Sequence, residues 1–370
     1  MNKMEERKNK NQLNYLNNIK SKYILQQVFA NIEEKKLLQI VRYNKNIQEK
    51  LDKNINHYIN NYKNLEVIIE IIPFYKTYSK TIFINYPKTK EEYYHIYFND
   101  EKEEKKRNYF TYDEDVFKII AKIDYKVKSF EGLFYNCDCV GEINFIKCVR
   151  NDITNMKDMF NECTSLKEIN FDNLKTNNVA FMIRMFQKCH SLKKLNLSNF
   201  NTNNVINMNS MFFDCKSLKE LNLSNFNTDN LTDMSCMFEG CSKLKKLNLN
   251  NFNTINVTSM ANMFNRCSSL KEINLNNFNT INVKNTSKMF CECSKLTKLN
   301  LDNFCTKNVT NMSKMFFNCS SLKILGLKNF YIGADTIVDN MFGGCIPELK
   351  KKIIKSNLYY KKEAFYDTNF

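Results

Sequence analysis

Apolar and polar positions repeat with one fixed period over most of this chain. The Phe of a recurring Met-Phe pair (Leu-Phe in the first copy) stands at Phe134, Phe160, Phe186, Phe212, Phe238, Phe264, Phe290, Phe316 and Phe342, always 26 residues apart. Three residues after each comes a Cys, from Cys137 through Cys163, Cys189, Cys215, Cys241, Cys267, Cys293 and Cys319 to Cys345. Self-similarity without insertion over that length is the mark of a repeat architecture.

Within one copy, Leu244, Leu247 and Leu249 end in an alternation that predicts a short strand, with Leu247 and Leu249 inward and Asn248 outward. Val257, Met260, Met263 and Phe264 are spaced for one side of a helical turn. Asp152, Asn178, Asn204, Asn230, Asn256, Asn282 and Asn308 precede that stretch and are read as N-caps. Strand, turn, short helix and return make one coil, whose apolar edge only a neighbouring coil can cover. The phrase Asn308–Leu327, NVTNMSKMFFNCSSLKILGL, and its earlier copies resemble the 26-residue repeats of BspA-like surface proteins, over residues 130–346. The resemblance implies an α/β solenoid: a leucine-rich-repeat-like stack of about nine coils, parallel sheet on one face and short helices on the other. It also implies adhesion or partner binding.

Each column of the repeat has a structural and a functional reading. Cys163, Cys189, Cys215, Cys241, Cys267, Cys293 and Cys319 line up in a row, whereas zinc needs about four ligands converging on a point. They are read as a structural core column of small apolar fillers, with no metal and no cofactor. The Met-Phe stripe is read as core. The outward strand column, Asn170, Asn196, Asn222, Asn248, Asn274 and Asn300, either stacks as an amide ladder or contacts a ligand across the concave face. Before it, Lys194, Glu220, Lys246 and Glu272 alternate in sign, which predicts a solvated face with cross-strand charge pairs. These residues are the candidate binding face. A later column, Asn173 to Asn329, is expected to satisfy turn backbone groups, with the following Phe filling a corner.

The flanks read differently. Residues 1–64 predict a polar helical region. Ile24-Leu25, Val28-Phe29, Ile32, Leu37, Val41 and Lys45 resemble part of an F-box, without the Pro, Cys and Trp typical of that family. That resemblance implies a substrate receptor of a ubiquitin ligase; a plain helical cap or dimerisation element is the competing reading. Residues 65–129 alternate apolar runs with turn signals and predict a small β-rich unit capping the first coil. Residues 347–370 form a basic, aromatic tail expected to cap the other end.

Composition narrows the function. The formal charge of +16 is spread along 370 residues and forms no basic arm, so nucleic acid or an anionic membrane is not the expected partner. Fourteen Cys, no signal-like apolar segment and no run long enough to span a bilayer predict an intracellular, cytoplasmic protein. Export to the surface without a recognisable signal, as an adhesin, is the alternative. Only His57, His95 and His190 occur, and no phosphate-loop, dinucleotide or zinc-protease motif is present. The expected activity is non-enzymatic protein binding.

Overall fold

A computed structural model of the protein describes residues 65–74, 80–355 and 361–366, together with Ile47 and Glu49. Those two residues apart, the helical reading of 1–64 and its F-box-like positions lie outside the described residues, as do tail residues 356–360 and 367–370. The chain divides into two compact units, Met1–Glu66 and Val67–Phe370, and the second carries the repeats.

That unit begins with strands of alternating pattern. β1 (Val67–Pro73) turns Val67, Ile69 and Ile71 inward, and the short β2 (Thr81–Ile82) follows. β3 (Tyr94–Phe98) buries Tyr94, Ile96 and Phe98; β4 (Tyr109–Phe110) pairs with β2. β5 (Ile119–Ile123) buries Ile119, Ala121 and Ile123. β6 (Val140–Lys147) and β7 (Glu168–Asn170) complete a sheet of order β3-β5-β1-β6-β7. β1 meets β6 antiparallel, with Ile71 opposite Ile143, whereas β6 meets β7 in parallel, with Ile143 opposite Ile169. β6 therefore belongs to both the flanking sheet and the repeat, and the flanking strands cover the apolar edge that the first 26-residue unit would otherwise leave open.

Successive units are joined by parallel bridges through Ser129, Asn155, Phe181, Asn207, Asp233, Ser259, Asn285, Asn311 and Ile337. Beside each bridge the backbone alternates between two kinds of bond. The N–H groups of Met260, Asn262, Phe264 and Arg266 donate to Asn285, Ser287, Met289 and Cys291 of the next unit at 2.8–2.9 Å. The intervening N–H groups of Met263, Asn265 and Cys267 close tight turns onto Met260, Asn262 and Phe264 at 3.0–3.2 Å. With Ala261 N–H donating to Ser259 Oγ at 3.5 Å, every backbone N–H from Met260 to Cys267 is used, as buried backbone requires.

This arrangement replaces the short helices that the spacing predicts: no α-helix occurs within residues 130–346. The cause is local. Two residues per unit hold left-handed backbone, Asn262 (φ 57°) and Arg266 (φ 61°) among them, and such residues interrupt a right-handed helix. Bonds to the neighbouring unit supply what a helix would have supplied internally. The N-cap reading falls with the helices. Asn256 Nδ2 donates to Asp229 O in the preceding unit at 2.7 Å, and Asn178, Asn204, Asn230, Asn282 and Asn308 make the same brace. Asp152 instead binds Arg150 at 2.6 Å.

On the leucine side the expected parallel sheet is regular only at its ends, where β6 meets β7 and where β8 (Lys298–Asn300) meets β9 (Ile324–Gly326). Between them, units connect through isolated links such as Lys219 N–H to Lys193 O at 3.2 Å. The continuous backbone ladder runs along the Met-Phe side.

Side chains fill the space between the two sides. Phe134, Phe160, Phe186, Phe212, Phe238, Phe264, Phe290, Phe316 and Phe342 stack with centroids 5.4–5.8 Å apart and planes within 14°. Val257, Met260 and Met263 are fully buried beside them. Burying each such side chain stabilises by about 1.5–3 kcal/mol, and each ring pair adds about 0.5–1.5 kcal/mol. After α1 (Pro347–Lys355), residues 361–366 close the stack. Phe342 N–H donates to Ala364 O at 2.7 Å, Asn340 N–H to Glu363 O at 2.8 Å, and the Phe365 ring stacks on Phe342 at 5.3 Å. No helix among the described residues is long and apolar enough to cross a membrane.

Candidate binding face

The outward strand positions are where the alternation places them. Asn170, Lys194, Asn196, Glu220, Asn222, Lys246, Asn248, Glu272, Asn274 and Asn300 are all exposed, while Leu197, Leu223, Leu249 and Leu275 between them are buried. Backbone pairing brings Asn170 beside Asn144 and Lys298 beside Ile324.

The Asn side chains do not form the amide ladder that the column suggests. Each turns its oxygen back to its own chain: Oδ1 of Asn170, Asn196, Asn222, Asn248, Asn274 and Asn300 accepts the N–H two residues on, at 2.8–3.1 Å. This Asx turn bends the chain out of the strand, a use for which Asn suits better than most residues. The Nδ2 groups of Asn196, Asn222, Asn248 and Asn300 have no partner among the described residues; Asn274 Nδ2 reaches Asn250 Oδ1 at 3.1 Å. The column ends at Gly326. A Cβ there would lie 2.6 Å from Asn300 Oδ1, which closes the last Asx turn, and 2.7 Å from Asp302 Oδ1, which accepts Lys328 N–H, so both oxygens occupy its space.

The expected cross-strand charge pairs are absent as well. Among the described residues, Lys194, Lys246, Glu220 and Glu272 take part in no ion pair. The pairs form on the Met-Phe side instead. Arg184 grips Asp158 through two bonds of 2.7 and 2.9 Å, Lys188 meets Glu162 at 2.6 Å, and Arg266 meets Glu292 at 3.3 Å. His190 Nε2 lies 3.2 Å from Asp214 there, and His95 lies 2.9 Å from Glu104 in the flanking sheet. His57 is outside the described residues.

Cys163, Cys189, Cys215, Cys241, Cys267, Cys293 and Cys319 are free thiols, fully buried. Each does more than fill space. Cys241 Sγ donates to Phe212 O of the preceding unit at 3.1 Å, and the same carbonyl accepts Cys215 N–H at 3.2 Å. Cys163, Cys189, Cys215, Cys267, Cys293 and Cys319 repeat that bond. Burial raises the thiol pKa values, to about 12 at Cys215 and Cys267, so sulfur keeps the proton it donates.

Two further columns position the face. Asn251 Nδ2 donates to Leu223 O at 3.0 Å and Phe226 O at 2.6 Å, and Asn225, Asn277 and Asn303 act alike, closing the turn that follows each strand. The sequence reading gave no role to Thr176, Thr202, Thr228, Thr254, Thr280 and Thr306. Thr254, 1% exposed, donates through Oγ1 to Asn279 O and accepts Asn279 N–H, both at 2.8 Å. One hydroxyl thus clamps both backbone groups of a residue in the next unit. Their 26-residue recurrence was the available signal.

The family described as Mycoplasma protein of unknown function, DUF285, matches residues 128–247, 207–330 and 232–355, together more than half of the chain. The chain is also similar to a leucine-rich repeat protein from Bacteroides ovatus ATCC 8483 of known crystal structure. Identity is 20%, with 61% of this chain and 70% of that one covered and a TM-score of 0.26. Comparison with curated proteins gives no match. With its repeats matched from residue 128 to residue 355, the chain belongs to this BspA-like repeat family, DUF285.

Proposed function

We propose that the repeats wind as one leucine-rich-repeat solenoid of about nine coils, and that it binds a protein partner through its polar strand face without performing catalysis. The observation that carries this reading is the state of the strand asparagines. Their oxygens are committed to Asx turns, while the NH2 groups of Asn196, Asn222 and Asn248 point from exposed positions with no acceptor. A regular row of uncommitted donors, held on rigid turns, is pre-organised for a partner's acceptors. The repeat family supports interaction or adhesion as the kind of role.

Substituting Asn by Ala would remove the turn acceptor together with the donor. Asn196→Asp, Asn222→Asp and Asn248→Asp together keep the turn acceptor and replace each outward NH2 donor by a charged oxygen that can only accept. A photo-crosslinking residue at position 220 in the full chain, expressed in its own cell, is expected to capture a protein that the triple variant no longer captures. Undiminished capture by the triple variant, or capture only from a probe at Thr258 on the Met-Phe side, would overturn the assignment.

A further inference from the structure

The strand face carries more than free amides. Lys193, Lys219, Lys245 and Lys271 recur one unit apart, with Lys194 and Lys246 beside them, and all are exposed. None takes part in an ion pair among the described residues. The Met-Phe side differs: Asp158, Glu162 and Glu292 each hold a cation from the adjacent unit. The molecule therefore pairs its charges across units on one side and leaves same-sign charges in file on the other. Lys219 N–H donates to Lys193 O at 3.2 Å, so the two lysines leave matching positions of adjacent units. Like charges carried in file on successive units repel one another, and an anion laid along the file relieves the repulsion.

We infer that this face takes an acidic polypeptide segment. The inference rests on the proposed binding face and names the chemistry of its partner. Lysine ammonium groups and asparagine NH2 groups are all donors, so the complementary surface is rich in carboxylate acceptors. Two features favour a polypeptide over nucleic acid. Glu168, Glu220 and Glu272 recur in every second unit of the same face, where a continuous phosphate backbone would meet them. Residues 193–196, 219–222, 245–248 and 271–274 contain no aromatic residue on which a base would stack. A peptide that mixes acidic and neutral side chains avoids both conflicts.

The test uses the full chain and a fluorescent peptide of alternating glutamate and glutamine, with oligoglutamine of equal length and single-stranded oligothymidylate as comparisons. One variant combines Lys193→Gln, Lys219→Gln, Lys245→Gln and Lys246→Gln. A second removes the same charge elsewhere, through Lys284→Gln, Lys288→Gln, Lys307→Gln and Lys314→Gln. Circular dichroism confirms that both are folded. The expected result is binding of the glutamate–glutamine peptide in low salt that weakens about tenfold or more in the first variant and less than about twofold in the second. Failure of the wild-type chain to bind the glutamate–glutamine peptide, or equal loss in both variants, would overturn the inference. Equal or tighter binding of oligothymidylate, lost in the same first variant, would overturn the polypeptide assignment. Capture at position 220 of a partner whose contacting segment has no excess of acid would also overturn it, while leaving the binding-face reading intact.

Discussion

The buried threonine column gives the sharpest test of how neighbouring units are held. Thr254→Val preserves shape and puts a methyl in place of the hydroxyl. Two bonds disappear, the donation to Asn279 O and the acceptance of Asn279 N–H, both 2.8 Å long at a side chain 1% exposed. Each bond is worth about 1 kcal/mol net, and an amide left without a partner costs about 1–3 kcal/mol. The added methyl returns about 0.8 kcal/mol of burial. The balance is a loss of roughly 2–4 kcal/mol. Thr254→Ser is the matched control, since it keeps the hydroxyl and deletes the methyl. Urea unfolding reports the overall loss, and amide exchange at Asn279 reports its location. Thr254→Val should speed exchange at Asn279 by about tenfold or more, and Thr254→Ser should leave it near the wild-type rate. Equal exchange in the two variants would show that the hydroxyl does not clamp the next unit. Thr202→Val and Thr228→Val, which meet the same geometry, should act alike on Asn227 and Asn253.

Three further outcomes are expected. Thr286 is fully buried with an unpartnered hydroxyl, in the column that holds Met234, Met260 and Met312 in other units. Thr286→Met should raise stability by about 1–2 kcal/mol in thermal or urea unfolding, provided the neighbouring Met side chains repack. Lys288 holds left-handed backbone (φ 54°) at an exposed position, so Lys288→Asn should stabilise by about 0.5–1 kcal/mol in the same assay. Arg107, together with Thr111, holds the Glu114 carboxyl down to about 2 from its ordinary 4.5. A lowered value means stability that is present above about pH 4.5 and lost as pH falls toward 2, so acid should weaken the wild-type flanking sheet in that window more than it weakens Glu114→Gln.

The register of the fold was legible because every copy has the same length. Phe238, Cys241, Leu247 and Leu249 are buried where the alternation and the 26-residue period put them. The local conformation of the Met-Phe segment was not legible. Val257, Met260, Met263 and Phe264 fit one side of a helix and also one side of a run of tight turns, and the choice lies with a neighbour 26 residues away. The left-handed positions that decide it carry Arg184, Cys236 and Lys288 in some units, residues that give no turn signal, and Gly only at Gly132, Gly240 and Gly344. On the candidate face, the exposed positions were legible from strand alternation. The absence of ion pairs between Lys246 and its neighbours Glu220 and Glu272 was not, because sequence spacing does not fix where long side chains reach. The Asx turns of Asn196 and Asn248 were equally hidden, since an outward Asn can spend its oxygen on a neighbour, a ligand or its own backbone.

Cysteine accessibility tests the stacked interior most directly. Alkylation of the native protein, followed by mass spectrometry of each cysteine peptide, should label the half-exposed Cys305 first. Cys189, Cys215, Cys241, Cys267 and Cys293 should stay unmodified until denaturant is added, because burial shields each sulfur and keeps it protonated. Labelling of those five at the rate of Cys305 in native buffer would place the sulfurs outside the stack and contradict the account.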